Sequence, residues 1–152
     1  MKVGCAMIRA KFTPSLTELY DLDETAWLEQ MAALAGEGAG AALDLRHLSE
    51  YLGDMAKRDK REVSQRFTVL LVHLLKWEHQ PKKRSRSWQL TIDEQREELQ
   101  DLTESGSLRA HAEQELGKAY QKAVRRAAVE TNLKDETFAD ECPFSLEQVL
   151  GG

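Results

Sequence analysis

Apolar residues recur at intervals of three and four along most of this chain, the spacing of an amphipathic α-helix. The first such segment begins near Tyr20, where Asp21 and Glu24 have the spacing of a helix-capping pair, and a glycine-rich stretch from Gly36 ends it. A second stripe of leucines and a methionine predicts a helix from about residue 44 to residue 55. The first third of the chain therefore predicts two helices joined by a flexible turn.

The most apolar segment, residues 67–77, carries apolar side chains around its whole circumference, so it predicts a central helix surrounded by the others. We expect this third helix to begin after Asp59, at another cap-like pair. It should end before Pro81, because the residue that precedes a proline is disfavoured in the α region. A fourth helix is predicted from near Ser85 until Gly106 stops the next apolar seam.

A fifth helix is predicted over residues 107–130, with alanines on one face that allow close approach to a neighbour. Ser145 and Gln148 then have the spacing of a cap for a short last helix. The fold class is therefore all-α, a compact bundle of about five main helices plus a short C-terminal helix. Residues 1–19 show no helical period and are expected to be an irregular arm, and residues 20–152 a single helical domain.

The composition agrees with one cytoplasmic globular domain. With 152 residues, 41% hydrophobic and 31% charged, the chain has the size and balance of a single folded unit. Cys5 and Cys142 fit no Cys-x-x-Cys spacing, so the sequence indicates neither a zinc site nor a disulfide framework. The longest apolar stretch is far shorter than the ~20 residues that cross a bilayer, and the start lacks a secretory pattern. We therefore expect no membrane association and a cytoplasmic location.

No local motif for catalysis, nucleotide binding or metal binding occurs in the sequence. Glycine-rich phosphate loops, a Gly-x-Ser-x-Gly turn and a His-Glu-x-x-His pair are all missing. His73 and His79 are six residues apart, on different faces of a helix, so they cannot share a metal as an i, i+4 pair can. We expect no metal, no cofactor and no catalytic residues, and an enzyme is the less favoured class.

Charge is distributed unevenly. Between Lys57 and Trp88, 10 Lys and Arg stand against 3 Asp and Glu, a local charge of +7, whereas the whole chain carries −5, so the remainder sums to −12. One interpretation is that basic and acidic helices pair across the surface, and another is a binding surface for an acidic partner. The candidate binding surface comprises basic and aromatic residues around one proline turn: His79, Lys82, Lys83, Arg84, Arg86 and Trp88.

A protein partner is the leading hypothesis for this surface. Nucleic acid is a weaker alternative, because the other basic group, residues 57–61, is expected roughly 30 Å away along a helix on a net-acidic protein. The divided charge would also suit a homo-oligomer. Arg84 and Arg86 could either clamp the corner between two helices, by stacking on an indole, or anchor an anionic ligand.

Three polar or amphipathic residues lie where apolar ones are expected: His73, Trp77 and Gln95. His73 could satisfy its nitrogens inside the core, or it could be a titratable group in a cleft. The second function hypothesis is therefore a small-ligand binder or enzyme with a cleft near His73 and Arg84.

A specific string in the centre of the chain resembles a known family. The string consists of three parts: His73-Leu-Leu-Lys-Trp77, then Gln80-Pro81, then Arg84-Ser-Arg-Ser-Trp88. Flanking features agree, with Tyr20-Asp21 before a Trp-Leu-Glu helix, and Glu130-Thr131, Phe138 and Cys142-Pro143 towards the end. Over residues 19–150 the chain is similar to the bacterial family catalogued as domain of unknown function 29. The resemblance implies an all-helical fold and supplies no catalytic residues.

Overall fold

A computed structural model describes residues 13–152, and these residues contain helices and no strand. The α-helices are α1 (Leu16–Leu22), α2 (Glu24–Gly36), α3 (Leu45–His79), α4 (Arg86–Leu102), α5 (Gly106–Thr131) and α6 (Leu146–Leu150). Short 3-10 turns occur at Gly40–Ala42, Pro81–Lys83 and Asp135–Thr137. The prediction of an all-α fold with about five main helices and a short C-terminal helix is confirmed.

The chain divides into two compact units, one ending at Asp54 and one running from Met55 to Gly152. Each unit has an apolar core of its own. Residues 45–54 of α3 belong to the first unit and residues 55–79 to the second. The sequence predicts a single helical domain over residues 20–152. That domain assignment stays a prediction.

In the first unit, α1 and α2 pack around a small core. Ser15 and Glu18 form a reciprocal capping box at the start of α1, and Asp23 caps α2 by accepting a hydrogen bond from the backbone of Ala26 at 3.0 Å. Leu19, Trp27 and Met31 are the buried apolar residues of this unit. The predicted cap at Asp21 is therefore wrong, since Asp23 performs that role.

The second unit packs residues 55–79 of α3 with α4, α5 and α6. Its α3 contribution includes the predicted apolar segment, in which Phe67 and Leu70 are fully buried, and Val63 one turn before that segment, which is fully buried as well. From α5 come small buried side chains at helical spacing, including Ala123 and Ala127. These alanines belong to the same apolar core as the buried residues of α3. Small side chains at such positions let helix backbones approach closely. The central position of the third predicted helix agrees with this burial.

The predicted break near Met55 is wrong, because α3 continues without interruption from Leu45 to His79. A single glycine, Gly53, weakens a helix by about 1 kcal/mol but does not end it when strong helix formers follow. The pair Asp59 and Glu62 is no cap. Instead Glu62 accepts a hydrogen bond from Nε of Arg66 at 2.9 Å, one helical turn further on.

The start of the helical region also differs from the prediction. Because Ser15 caps α1, the helix begins at Leu16, before the predicted start at Tyr20, and Leu16–Leu19 is not part of an irregular arm. Residues 1–12 of the predicted arm lie outside the described residues.

The C-terminal segment returns along α5 and ends on α4. Tyr120 donates from its hydroxyl to the carbonyl of Ala139 at 2.7 Å, which fixes the stretch after α5. Ser145 and Gln148 form the predicted capping box of α6. Arg96 then donates to the carbonyl of Val149 at 3.0 Å, and this bond ties the last helix to α4.

Candidate functional site

The predicted binding surface lies at the turn that joins α3 to α4. After α3, Gln80 leaves the helical region and Pro81 begins a single 3-10 turn. Ser85 then caps α4 by accepting a hydrogen bond from the backbone of Trp88 at 3.2 Å. We call residues 76–88 the basic corner.

Arg84 holds the basic corner closed. Its Nε donates to the carbonyl of Trp77 at 2.8 Å, and its guanidinium lies 4.9 Å from the centre of the Trp77 ring. The last carbonyls of a helix have no partner inside it, so this bond satisfies one of them. Arg84 therefore forms the clamp that the sequence suggested, with Trp77 as the stacking partner.

A second clamp joins the basic corner to α5. Nζ of Lys76 lies 2.9 Å from a carboxylate oxygen of Glu130 and 4.6 Å from the ring centre of Trp88. The Lys76 side chain is only 13% exposed, so its ammonium is largely enclosed by these two partners. His79 is half-buried and meets Phe138 edge to face, with ring centres 4.7 Å apart.

The remaining cations of the corner are free. Lys82, Lys83 and Arg86 are exposed, and within residues 13–152 none of them has a carboxylate at ion-pair distance or a side-chain hydrogen bond. Of the six predicted surface residues, these three are both exposed and without a partner among the described residues. His79, Arg84 and Trp88 instead hold the turn in place.

The three residues of the predicted cleft have separate partners. Nδ1 of His73 donates to the carbonyl of Val69 in its own helix at 2.9 Å. The carbonyl of Trp77 accepts a hydrogen bond from Arg84. The side chain of Gln95 accepts a hydrogen bond from Arg66 at 3.5 Å. In the described part of the chain, no hydrogen bond or ring contact joins one of the three to another. His73 is half-buried and bonds through Nδ1 within its own helix, so its role as a core residue or as a cleft residue stays a prediction.

A groove between α3 and α5, which the sequence did not reveal, has a volume of about 690 Å³. Its lining residues are mostly basic or polar, with Val69 and the aliphatic parts of the long side chains adding apolar surface, and none of them is acidic: Arg61, Ser64, Gln65, Thr68, Val69, Lys122, Arg125 and Arg126. We call it the cationic groove. The spacing of Arg61, Gln65 and Thr68 places them on one helix face, but only the packing of α3 against α5 brings the second set of cations opposite.

The first unit contains a buried polar cluster around Asp44, the residue before α3. One carboxylate oxygen of Asp44 accepts from Nδ1 of His47 at 2.6 Å and from Nε1 of Trp27 at 3.2 Å. Tyr20 stacks on the imidazole of His47 with ring centres 4.3 Å apart and an interplanar angle of 12°. Neither Asp44 nor His47 is among the sequence-predicted site residues, although their Asp-x-x-His spacing was available as a signal.

Electrostatics around Asp44 favour the ionised form. Burial alone would raise the pKa of this carboxyl, but the hydrogen bonds from His47 and Trp27 together bring its pKa below the ordinary value. Burial and nearby carboxylates raise the pKa of Tyr20, which stacks on the same imidazole. An aspartate that orients a histidine occurs in hydrolase triads. Within residues 13–152, Asp44 is the hydrogen-bond partner of the His47 ring. The cluster connects the start of α3 to Trp27 of α2.

No group of three His, Cys, Asp or Glu side chains in residues 13–152 is arranged to hold a metal ion. In the same residues, no helix combines the length and the apolar character that crossing a membrane requires.

Comparison with curated proteins gave no match, and comparison with solved structures gave none either. The family model described as "Domain of unknown function DUF29" matches residues 19–152, which is nearly the whole described chain. This match begins at Leu19, where the resemblance carried by the central string also begins. The chain therefore belongs to the DUF29 family.

Proposed function

We propose that this chain is a protein-interaction module that binds an acidic segment of another protein through Lys82, Lys83 and Arg86. The observation that carries the proposal is a set of three unpaired cations on a turn that is clamped on both sides. Arg84 fixes the turn to the end of α3, and Lys76 fixes the start of α4 to α5.

A clamped turn favours binding because less conformational freedom is lost when a partner docks. Exposed, unpaired charges of one sign also attract an oppositely charged partner and speed its encounter. The corner presents these charges on a chain whose overall charge is −5, so the attraction is local and directional. The proposal includes a cytoplasmic location, which the cysteine pattern predicts. Self-association through the unevenly distributed charge stays a prediction.

The two alternatives for this region are less well supported. Nucleic-acid binding by a basic and aromatic surface uses aromatic faces as platforms for bases. Here Arg84 covers a face of Trp77, and Lys76 covers a face of Trp88. A small-ligand cleft near His73 and Arg84 has the difficulty that both side chains bond to backbone carbonyls of α3.

The test is a fluorescence anisotropy titration with a labelled ten-residue polyglutamate peptide at low ionic strength. A variant with Lys82→Glu, Lys83→Glu and Arg86→Glu should lose affinity by about tenfold or more, because its cations become repulsive. A control variant with Lys57→Glu, Lys118→Glu and Lys134→Glu carries the same change in net charge at other exposed positions.

Retained affinity in the control supports a local site at the corner. Equal losses in the two variants would show that only the net charge matters, and unchanged affinity in the first variant would reject the surface altogether. Circular dichroism of both variants checks that the helices remain folded.

A further inference from the structure

We propose that the cationic groove binds a small ligand that carries two or more phosphate groups. This site is separate from the basic corner, and it does not depend on the proposed function.

The charge balance is unusual for a surface of a net-acidic chain. Four cations line the groove: Arg61 from α3, and Lys122, Arg125 and Arg126 from α5. In the described part of the chain none of them has a carboxylate at ion-pair distance. The neighbouring Arg66, by contrast, is paired with Glu62 at 2.9 Å and Glu98 at 3.4 Å. Four like charges around one cavity repel each other, and a multiply charged anion would relieve that repulsion.

The chemistry of the lining suits phosphate oxygens. A guanidinium presents a planar fork of N–H donors that matches the geometry of a phosphate, and the groove has three of them. The hydroxyls contribute less, because Ser64 and Thr68 already donate to the carbonyls of Lys60 and Ser64 at 3.2 and 2.9 Å. Gln65 is exposed, and its side-chain amide has no hydrogen bond within residues 13–152, so it can donate to a ligand.

The size and the boundaries of the groove favour a compact ligand. A volume of about 690 Å³ lies within the range of roughly 300–1,000 Å³ that is typical of small-molecule sites. Acidic residues follow at one end of the groove, where Asp135, Glu136 and Asp140 line the surface on the other side of Arg125. At the Arg61 end, Glu62 lies beside Arg58 and Arg66. A long polyanion such as a nucleic acid would meet the carboxylates beyond Arg125, whereas a short polyphosphate would not.

The experiment is an isothermal titration of the full chain with inorganic tripolyphosphate, pyrophosphate and orthophosphate at constant ionic strength. We expect saturable binding of one tripolyphosphate per chain, with affinity falling as the number of phosphates falls. A groove variant with Arg61→Gln and Arg125→Gln should weaken tripolyphosphate binding by about tenfold or more. A corner variant with Lys82→Gln and Lys83→Gln loses the same charge and should stay within about twofold.

Three results would overturn the proposal. The first is a titration without saturation, and the second is an equal loss of affinity in the groove and corner variants. The third is tighter binding of a twenty-nucleotide single-stranded DNA that is lost in the groove variant, which would assign the groove to nucleic acid. All the mutated side chains are exposed. A second groove variant with Lys122→Gln and Arg126→Gln repeats the test should the first fail to fold.

The proposals for the cationic groove and for the basic corner can be rejected independently. The effect of the corner variants on polyglutamate binding tests only the proposed protein interaction. The effect of the groove variants on tripolyphosphate binding tests only the phosphate site. A chain that binds one probe and not the other therefore rejects one proposal and leaves the other standing.

Discussion

The carboxylate of Asp44 lies 2.6 Å from Nδ1 of His47, one turn into α3. The second carboxylate oxygen of Asp44 accepts a hydrogen bond from the backbone of His47 at 3.4 Å, so the same residue also caps the helix. Trp27 of α2 donates to this carboxylate as well. One ionised side chain thus connects the start of α3 to the core of the first unit.

The stability of the first unit should depend on pH through Asp44. Because its pKa is lowered in the folded chain, Asp44 stabilises the folded state above the ordinary carboxyl pKa of about 4. This contribution is lost as the pH falls through the lower, folded value. Asp44→Asn should therefore reduce the free energy of unfolding by about 1–3 kcal/mol at pH 7 and flatten its dependence on pH below about 4.

Urea unfolding at pH values between 7 and 3 measures this effect. Substitution of Trp77 and Trp88 by Phe leaves the fluorescence of Trp27, in the first unit, as the reporter. Glu29→Gln, at an exposed carboxyl of α2, is the control and should leave the pH dependence unchanged. An Asp44→Asn variant that still loses stability at acid pH as the parent does would contradict the assignment.

Gly53 should be a weak point of α3 that can be repaired. It lies on the exposed face of a continuous helix, and a Cβ added there meets no atom within 4 Å. Gly53→Ala should raise the free energy of unfolding by about 0.5–1 kcal/mol, because alanine loses less backbone freedom on folding. Chemical denaturation followed by circular dichroism measures the change.

Gly38 provides the opposite control, since its φ of 72° lies in the left-handed region. Gly38→Ala also meets open space, yet it should destabilise the chain by about 1 kcal/mol through backbone strain. If Gly53→Ala destabilised the chain as well, Gly53 would be needed for a bend, and α3 would not be a regular helix at that point.

The sequence predicted the later helices well and the earlier ones less well. Ser85 and the Ser145–Gln148 pair are local signals whose hydrogen bonds reach no further than one helical turn, so pattern alone found those boundaries. The predicted stop at Gly106 is wrong, because α4 already ends at Leu102 and Gly106 is the first residue of α5. Residues 53–62 also contain cap-like residues, but their helix-forming neighbours decide the outcome, and α3 continues. Boundary residues were reliable only where a proline or a run of turn formers accompanied them.

The two candidate sites differ in the same way. The basic corner is contiguous in sequence, so counting charges was enough to find it. The count did not show which of its cations form contacts within the chain. The contact between Arg84 and Trp77 depends on the angle of the turn, and the spacing of the two residues in the sequence does not predict it. The cationic groove joins Arg61 to Lys122 and Arg125, which lie more than a helix apart in the chain. Such a site depends on tertiary packing, and no local pattern carries it.

Arg84 should matter for stability and Arg86 should not. Arg84→Ala removes a hydrogen bond to the carbonyl of Trp77 and a guanidinium from its ring, which should cost about 1 kcal/mol for an exposed side chain. Arg86→Ala, two residues away, removes an exposed cation and should change the free energy of unfolding by less than about 0.5 kcal/mol. Urea unfolding of both variants measures the difference. Equal effects would mean that the clamp contributes nothing to the fold.

The thiol of Cys142 should be protected in the folded chain. It is partly buried and lies 3.4 Å from the carbonyl of Phe144, and burial raises its pKa above the ordinary thiol value. Because the folded state holds the thiol proton more tightly, Cys142 contributes stability that is lost as the pH rises through its folded pKa. The reactive thiolate should therefore be scarcer at pH 8 in the folded chain than in the unfolded one.

Alkylation by iodoacetamide tests this expectation in a Cys5→Ser variant, where Cys142 is the remaining thiol. The rate at pH 8 should be several-fold lower in buffer than in denaturing urea, since less thiolate is present and access is reduced. The pH at which the rate reaches half its maximum should also be higher for the folded chain. A folded rate equal to the unfolded rate would show that the segment around Phe144 opens readily. The double variant Cys5→Ser with Cys142→Ser provides the blank, because it leaves no thiol to react.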